Sequence, residues 1–126
     1  MKRLRVCIGS KDMKKYTCPC CGHMVFNSPP GSFEICPICF WEDDIVQLRY
    51  VNVRGANKVS LIDGQKNYID FGACMRDLVD YVRKPNKKDI IDPEWRIFSI
   101  DSDIIEEYSQ NEKPRLDDTT KYYYWK

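Results

Sequence analysis

Cys18-Pro19-Cys20-Cys21-Gly22 and Cys36-Pro37-Ile38-Cys39 are two short cysteine hooks separated by residues 22 to 35. Each hook offers two thiols with two residues between them, a spacing that lets one tetrahedral ion take both. Pro19 and Pro37 fix the local backbone, and Gly22 permits a left-handed position after the second cysteine of its hook. The stretch between the hooks, His23-Met24-Val25-Phe26 and Phe33-Glu34-Ile35 around Asn27-Ser28-Pro29-Pro30-Gly31, reads as a hairpin that brings them together. Cys18, Cys21, Cys36 and Cys39 are therefore the expected metal ligands, in the manner of a structural zinc ribbon, with Zn2+ as the expected ion. Zinc binding to such peptides contributes on the order of 10 kcal/mol, comparable with the whole stability of a small domain.

Other uses of these cysteines stay open at this point. Cys20 and His23 also have a two-residue gap, so Cys20, His23, Cys36 and Cys39 form a competing register. A four-sulfur site also suits iron, as in a rubredoxin-like centre, and a lone C-x-x-C suits thiol redox chemistry. The second hook carries Phe40 where a glycine would be easier, so its exit is expected to differ from that of the first. Cys7 and Cys74 have apolar neighbours and read as core positions, and Cys20 as a small residue facing a crevice.

The chain has 126 residues, 43% of them hydrophobic and 31% charged, with a formal net charge of +1. That is the composition of one soluble domain with a modest core. Seven cysteines is an odd number, and no apolar run at the start resembles a secretory signal. A reducing, cytoplasmic setting is the expectation. Charge is unevenly spread. Residues 1–15 hold Lys2, Arg3, Arg5, Lys11, Lys14 and Lys15 against Asp12, and residues 99–118 hold seven acids against Lys113 and Arg115. Either the two segments neutralise each other, or they present opposite surfaces to partners.

The expected architecture is α+β: a small four-cysteine zinc ribbon, a β-hairpin with two metal knuckles, extended by a strand and packed on an amphipathic helix and a C-terminal αβ extension. The expected domain is single, 1–126, with the ribbon at 16–44, a strand plus helical region at 45–85 and an extension at 86–126. Leu4, Val6 and Ile8 suggest an edge strand in residues 1–10. Ile45 to Val51 is β-favouring and suggests the added strand. Ser60, with Asp63 three residues on, reads as the cap of a helix broken near Phe71-Gly72-Ala73. Asp101 to Ser109 reads as a short acidic helix, and Tyr122-Tyr123-Tyr124-Trp125 as a docked terminal strand.

Four cysteines close a metal's shell, whereas a catalytic zinc keeps a position for water. There is one histidine and no phosphate-binding glycine loop or nucleophile elbow. No enzyme is expected. Glu42-Asp43-Asp44, after Phe40-Trp41, is the one candidate acid cluster, and it reads first as a solvated turn beside a buried tryptophan.

The runs Cys18 to Gly22, Pro29 to Asp44 and Gln47-Leu48-Arg49, continued by Gly55 to Leu61, Asn67-Tyr68, Phe71 to Cys74, Val82 to Pro85 and Tyr123-Tyr124-Trp125, resemble the bacterial CPCC family of cysteine-rich proteins. The family is named for its cysteines rather than for an activity. The resemblance implies a loose association with small proteins encoded beside bacterial toxins, where a cognate binder neutralises the toxin. Two functions are expected from the residues. The first is a non-enzymatic protein-binding module, an immunity protein in the toxin setting, using the 99–118 acids toward a basic partner. Residues 55 to 60, a mostly polar loop, are a surface that the metal-pinned scaffold would present. The alternative is a nucleic-acid-binding zinc ribbon using Lys2 to Lys15 and Arg83 to Lys88, with Tyr16, Phe33 and Trp41 for stacking.

Overall fold

Two tight cysteine turns organise the polypeptide, each at the tip of its own antiparallel pairing. The computed structural model describes residues 14–110 and 117–126. Strand β1 (Tyr16–Thr17) pairs with β2 (Met24–Phe26) around the first hook, with Tyr16 opposite Phe26 and Thr17 opposite Met24. The second hook closes a shorter ladder. Phe33 N–H donates to Asp43 O at 3.0 Å, Asp43 N–H to Glu34 O at 2.9 Å and Cys36 N–H to Trp41 O at 2.9 Å. The expected hairpin between the hooks is therefore replaced by one hairpin around each. Residues 27 and 28 are held instead by the Glu34 carboxylate, which accepts both of their backbone N–H groups.

The segment expected as an added strand is helix α1 (Ile45–Arg49). Its buried positions are the adjacent Gln47 and Leu48, followed three residues on by buried Tyr50 and Val51 just past its end, a helical spacing rather than an alternating one. A strand would have turned Gln47 and Leu48 to opposite faces. Asp44 starts the helix, its carboxylate accepting Val46 N–H at 2.8 Å. Packing and this cap outweigh the β preference of Ile45 and Val46.

Helix α2 (Leu61–Phe71) follows the expectation closely. Ser60 Oγ accepts Asp63 N–H at 3.1 Å, and Gly72, at φ +85°, ends the helix in the left-handed conformation. A 3-10 turn, Arg76–Tyr81, completes the broken helical region. Asp101 to Ser109 is not helical: Asp103 accepts Ser99 N–H and an Arg96 guanidinium instead, and the β-branched Ile104 and Ile105 follow it. The C-terminus docks as expected, but through a 3-10 turn, Thr119–Tyr122, rather than a strand. No strand or α-helix occurs among the described residues of 86–126, so these residues do not show the αβ character expected there. The expected strand in residues 1–10, and Cys7, lie outside the described residues.

The resulting α+β molecule, with its antiparallel hairpin, few helices and four-cysteine cluster, is consistent with a zinc ribbon. Trp41, Phe26, Ile38, Leu48 and Leu61 are buried around the cysteines, and Cys74 joins them. Tyr123 and Trp125 stack on one another with ring centres 4.5 Å apart and close the core from the C-terminal side.

Candidate metal centre

The two hooks have the same backbone geometry. In the first, Cys18 N–H donates to His23 O at 2.9 Å and Gly22 N–H to Cys18 O at 2.8 Å. In the second, Cys36 N–H donates to Trp41 O at 2.9 Å and Phe40 N–H to Cys36 O at 2.8 Å. The residue after the second cysteine is left-handed in both, Gly22 at φ +82° and Phe40 at φ +71°. The expectation that Phe40 would change the exit is thus corrected: the turn dictates the conformation, and Phe40 adopts it at a cost of about 1–2 kcal/mol.

These turns bring the Sγ atoms of Cys18, Cys21, Cys36 and Cys39 within 4.8 Å of one another, all of them buried. Cys18 and Cys39 lie 3.6 Å apart, and Cys21 and Cys36 3.7 Å. A tetrahedron with metal–sulfur bonds of about 2.3 Å has edges of about 3.8 Å. The cluster fits such an ion and could hold it. Ile38 N–H also points at Cys36 Sγ, at 3.4 Å.

The electrostatics of the thiols argue in the same direction. Burial pushes Cys18 and Cys39 well above the usual thiol range. Hydrogen bonds from Cys18, Cys36 and Cys39 hold Cys21 far below it. One thiolate is thus stabilised by its neighbours, and a divalent cation held here would supply the charge needed to ionise Cys18 and Cys39. Cys20 and His23 fall outside the four-sulfur cluster. Cys20 is buried against α2 and Trp41: a Cβ added at Gly64 would lie 3.3 Å from Cys20 Sγ and 3.1 Å from the Trp41 ring.

Residues distant in sequence hold the first hook in place. Pro19 O accepts from Gln65 Nε2 at 2.9 Å and from Trp95 Nε1 at 3.0 Å. Gln65 also donates to the Tyr124 hydroxyl at 2.8 Å and accepts Phe98 N–H at 3.0 Å, so one side chain ties hook, C-terminus and residue 98 together. Asp92 accepts from Thr17 Oγ1 at 2.7 Å and from Trp125 Nε1 at 3.3 Å. Sequence reasoning missed Gln65, Asp92 and Trp95. Their one available signal was a glutamine on the apolar face of α2.

The acidic run is not a solvated turn. Asp43 is 2% exposed, and burial pushes its carboxyl up to about 6 although Ser32 Oγ donates to it at 2.7 Å. Asp44 is buried as the cap of α1 and also accepts Ala56 N–H at 2.9 Å. The Asn57 side chain grips the backbone of Glu42, accepting its N–H and donating to its carbonyl, each at 2.8 Å. Loop N–H groups need acceptors away from water, and these acids supply them. The 55–60 loop is correspondingly folded inward at Asn57, which bonds to fully buried Gln47, while Gly55, Ala56 and Lys58 face solvent. Of the aromatics expected to stack on bases, Trp41 is wholly buried and cannot reach them, while Phe33 is exposed.

Fold and cluster together define a small cysteine-rich protein with a potential metal centre. The chain belongs to the cysteine-rich CPCC family, whose model matches residues 16–89. No curated protein and no solved structure matches it. No helix among the described residues is long and apolar enough to cross a membrane.

Proposed function

We propose that this protein is a zinc-loaded, non-enzymatic protein-binding module of the bacterial cytoplasm that docks on a basic protein, a toxin neutralised by capture being the specific case. The observation that carries this reading is the segment Ile97 to Tyr108. It has no regular structure, yet it is pinned at several points. Phe98 is buried, Asp103 pairs with Arg96 at 2.6 Å, Glu106 pairs with Arg49 at 2.7 Å, and the Tyr108 ring meets Tyr50 edge-on at 5.2 Å. Between the pins, Ile104 is 91% and Ile100 59% exposed, beside exposed Asp101 and Glu107. Isoleucines held out in water by a fixed scaffold favour docking, because little ordering entropy remains to be lost on binding. The acids select a basic partner and speed encounter with it. Zinc suits four thiolates in a closed tetrahedron, and the closed shell leaves no position for a reacting water.

The test uses metal-loaded protein, wild type and the double variant Ile100→Ser, Ile104→Ser, in affinity capture from the native host. The expected result is a basic protein retained by wild type and lost by the variant, with metal content equal in both. Co-expression with a toxin encoded beside the gene should restore growth only with wild type. Absence of a partner, or equal capture by the variant, ends this reading. Metal analysis of the purified protein checks the ion, and iron in place of zinc would overturn that part.

A further inference from the structure

A second surface, separate from the isoleucine segment, is built by two stretches far apart in the chain. Lys14 and Lys15 lead into β1, and Arg83 and Lys88 belong to the connector that follows the helical region. The fold brings all four to one groove of about 680 Å³, lined also by Met24, Val25, Pro37 and Ile90. Among the described residues the only carboxylate lining it is Asp89, which Arg83 holds through two bonds of 2.7 and 2.9 Å. Four cations against one acid make a local positive field that the chain's net charge of +1 conceals. Lys84 and Lys87 lie in the same connector.

We propose that this groove binds the phosphodiester backbone of a single-stranded nucleic acid. Lysines on flexible stems around an open trough neutralise phosphates without demanding one geometry. The apolar side chains that line it accommodate sugars and base faces. Tyr16, its ring 5.2 Å from Lys14 Nζ, stands beside the groove as an aromatic surface for stacking. An acidic peptide is the other polyanion to weigh, and peptides gain much of their affinity by adding a strand to a free sheet edge. Here residues 90 to 92 already occupy that edge: Met24 N–H donates to Ile90 O at 2.8 Å, Asp92 N–H to Gly22 O at 2.8 Å, and His23 pairs with Ile91.

The test is fluorescence anisotropy of labelled single-stranded DNA and RNA oligonucleotides titrated with the metal-loaded full chain across a salt series. The expected result is binding at low salt whose logarithm falls linearly with the logarithm of salt concentration. Lys14→Glu with Lys88→Glu should weaken it at least about ten-fold and flatten the salt slope by about 1.4, roughly 0.7 for each phosphate no longer neutralised. Lys66→Glu, an exposed α2 position outside the groove, should leave both unchanged. Lys14→Gln with Lys88→Gln, expected to lower affinity in the same direction, serves if the charge-reversed protein fails to retain metal. No binding at low salt, or wild-type affinity in the Lys14/Lys88 variants, overturns the proposal. Displacement of the oligonucleotide by polyglutamate at equal charge overturns it too, in favour of an acidic protein partner. Because Ile100 and Ile104 are not part of the groove, loss of either activity leaves the other measurable.

Discussion

Gly22 and Phe40 stand at equivalent places in the two hooks, yet they answer to different neighbours. At Gly22 the backbone is left-handed, and an added Cβ would also lie 2.4 Å from the Trp95 ring. Gly22→Ala should therefore cost on the order of 3 kcal/mol, combining backbone strain with displacement of an indole packed on the hook. A urea midpoint within error of wild type would show that Trp95 moves aside freely. At Phe40 the strain is tolerated because the ring is itself packed, lying 5.9 Å from the Tyr81 ring. Asp43 gives a pH signature at the same scale. Its carboxyl is raised to about 6 from an ordinary 3.8, so the folded state prefers the neutral acid. That contribution is complete below the unfolded value and is lost as pH rises through about 6. Asp43→Asn removes the ionisation. The stability of Asp43→Asn relative to wild type should therefore climb between about pH 4 and pH 7, by up to about 3 kcal/mol. Taking the difference between the two proteins cancels the opposing pH dependence of metal loading. A flat difference across that range would refute the buried-acid account.

Among the elements, α1 depends most on a single side chain. Five residues make a helix too short to persist alone, and Asp44 both caps it and accepts the Ala56 N–H of the following loop. Asp44→Ala should cost about 2 kcal/mol or more, against about 1 kcal/mol for Ser60→Ala at the longer α2. Equal effects in urea unfolding would mean that packing of Leu48 alone holds α1. The same comparison explains what could be read from the sequence. The α2 start at Ser60 and its break at Gly72 were legible because local chemistry decides both, through a hydroxyl cap and a left-handed glycine. The cysteine pairs were legible for the same reason. Helix α1 was not, because Ile45 and Val46 favour strand locally, and the Asp44 cap needs the packing of Leu48 and the partners of Gln47, at Val53, Asn57 and Val59, to tip the balance toward the helix. Asp101 to Ser109 was misread for the converse reason: its acids serve Arg96 and Arg49, which the sequence places elsewhere. The braces Gln65, Asp92 and Trp95 act across dozens of residues, and their one local mark is a glutamine on the apolar face of α2.

At the scale of the whole molecule, stability and surface presentation converge on the four-cysteine cluster. Only two short strands and two α-helices are present among the described residues, so the regular backbone bonding that holds larger domains is scarce. The core is arranged around the sulfurs, and both candidate binding surfaces are tied to it. The isoleucine segment reaches it through Phe98 and Gln65, and the basic groove includes Pro37 of the second hook. Metal binding of the order of 10 kcal/mol is comparable with the entire stability expected for a domain of this size. Cys36→Ser should therefore lose the ion and precipitate, and chelation of wild type should unfold it with loss of near-ultraviolet circular dichroism. Removal of metal should also be favoured by acid, since protons compete for the same thiolates. Cys74→Ser provides the contrast: Cys74 is buried but outside the cluster, so the variant should retain a full complement of metal and suffer only a local packing loss. A soluble, folded Cys36→Ser protein with unchanged circular dichroism would show that hydrophobic packing and the Gln65 and Asp92 braces suffice without the ion. Loss of metal from both variants would show that the cluster extends beyond Cys18, Cys21, Cys36 and Cys39.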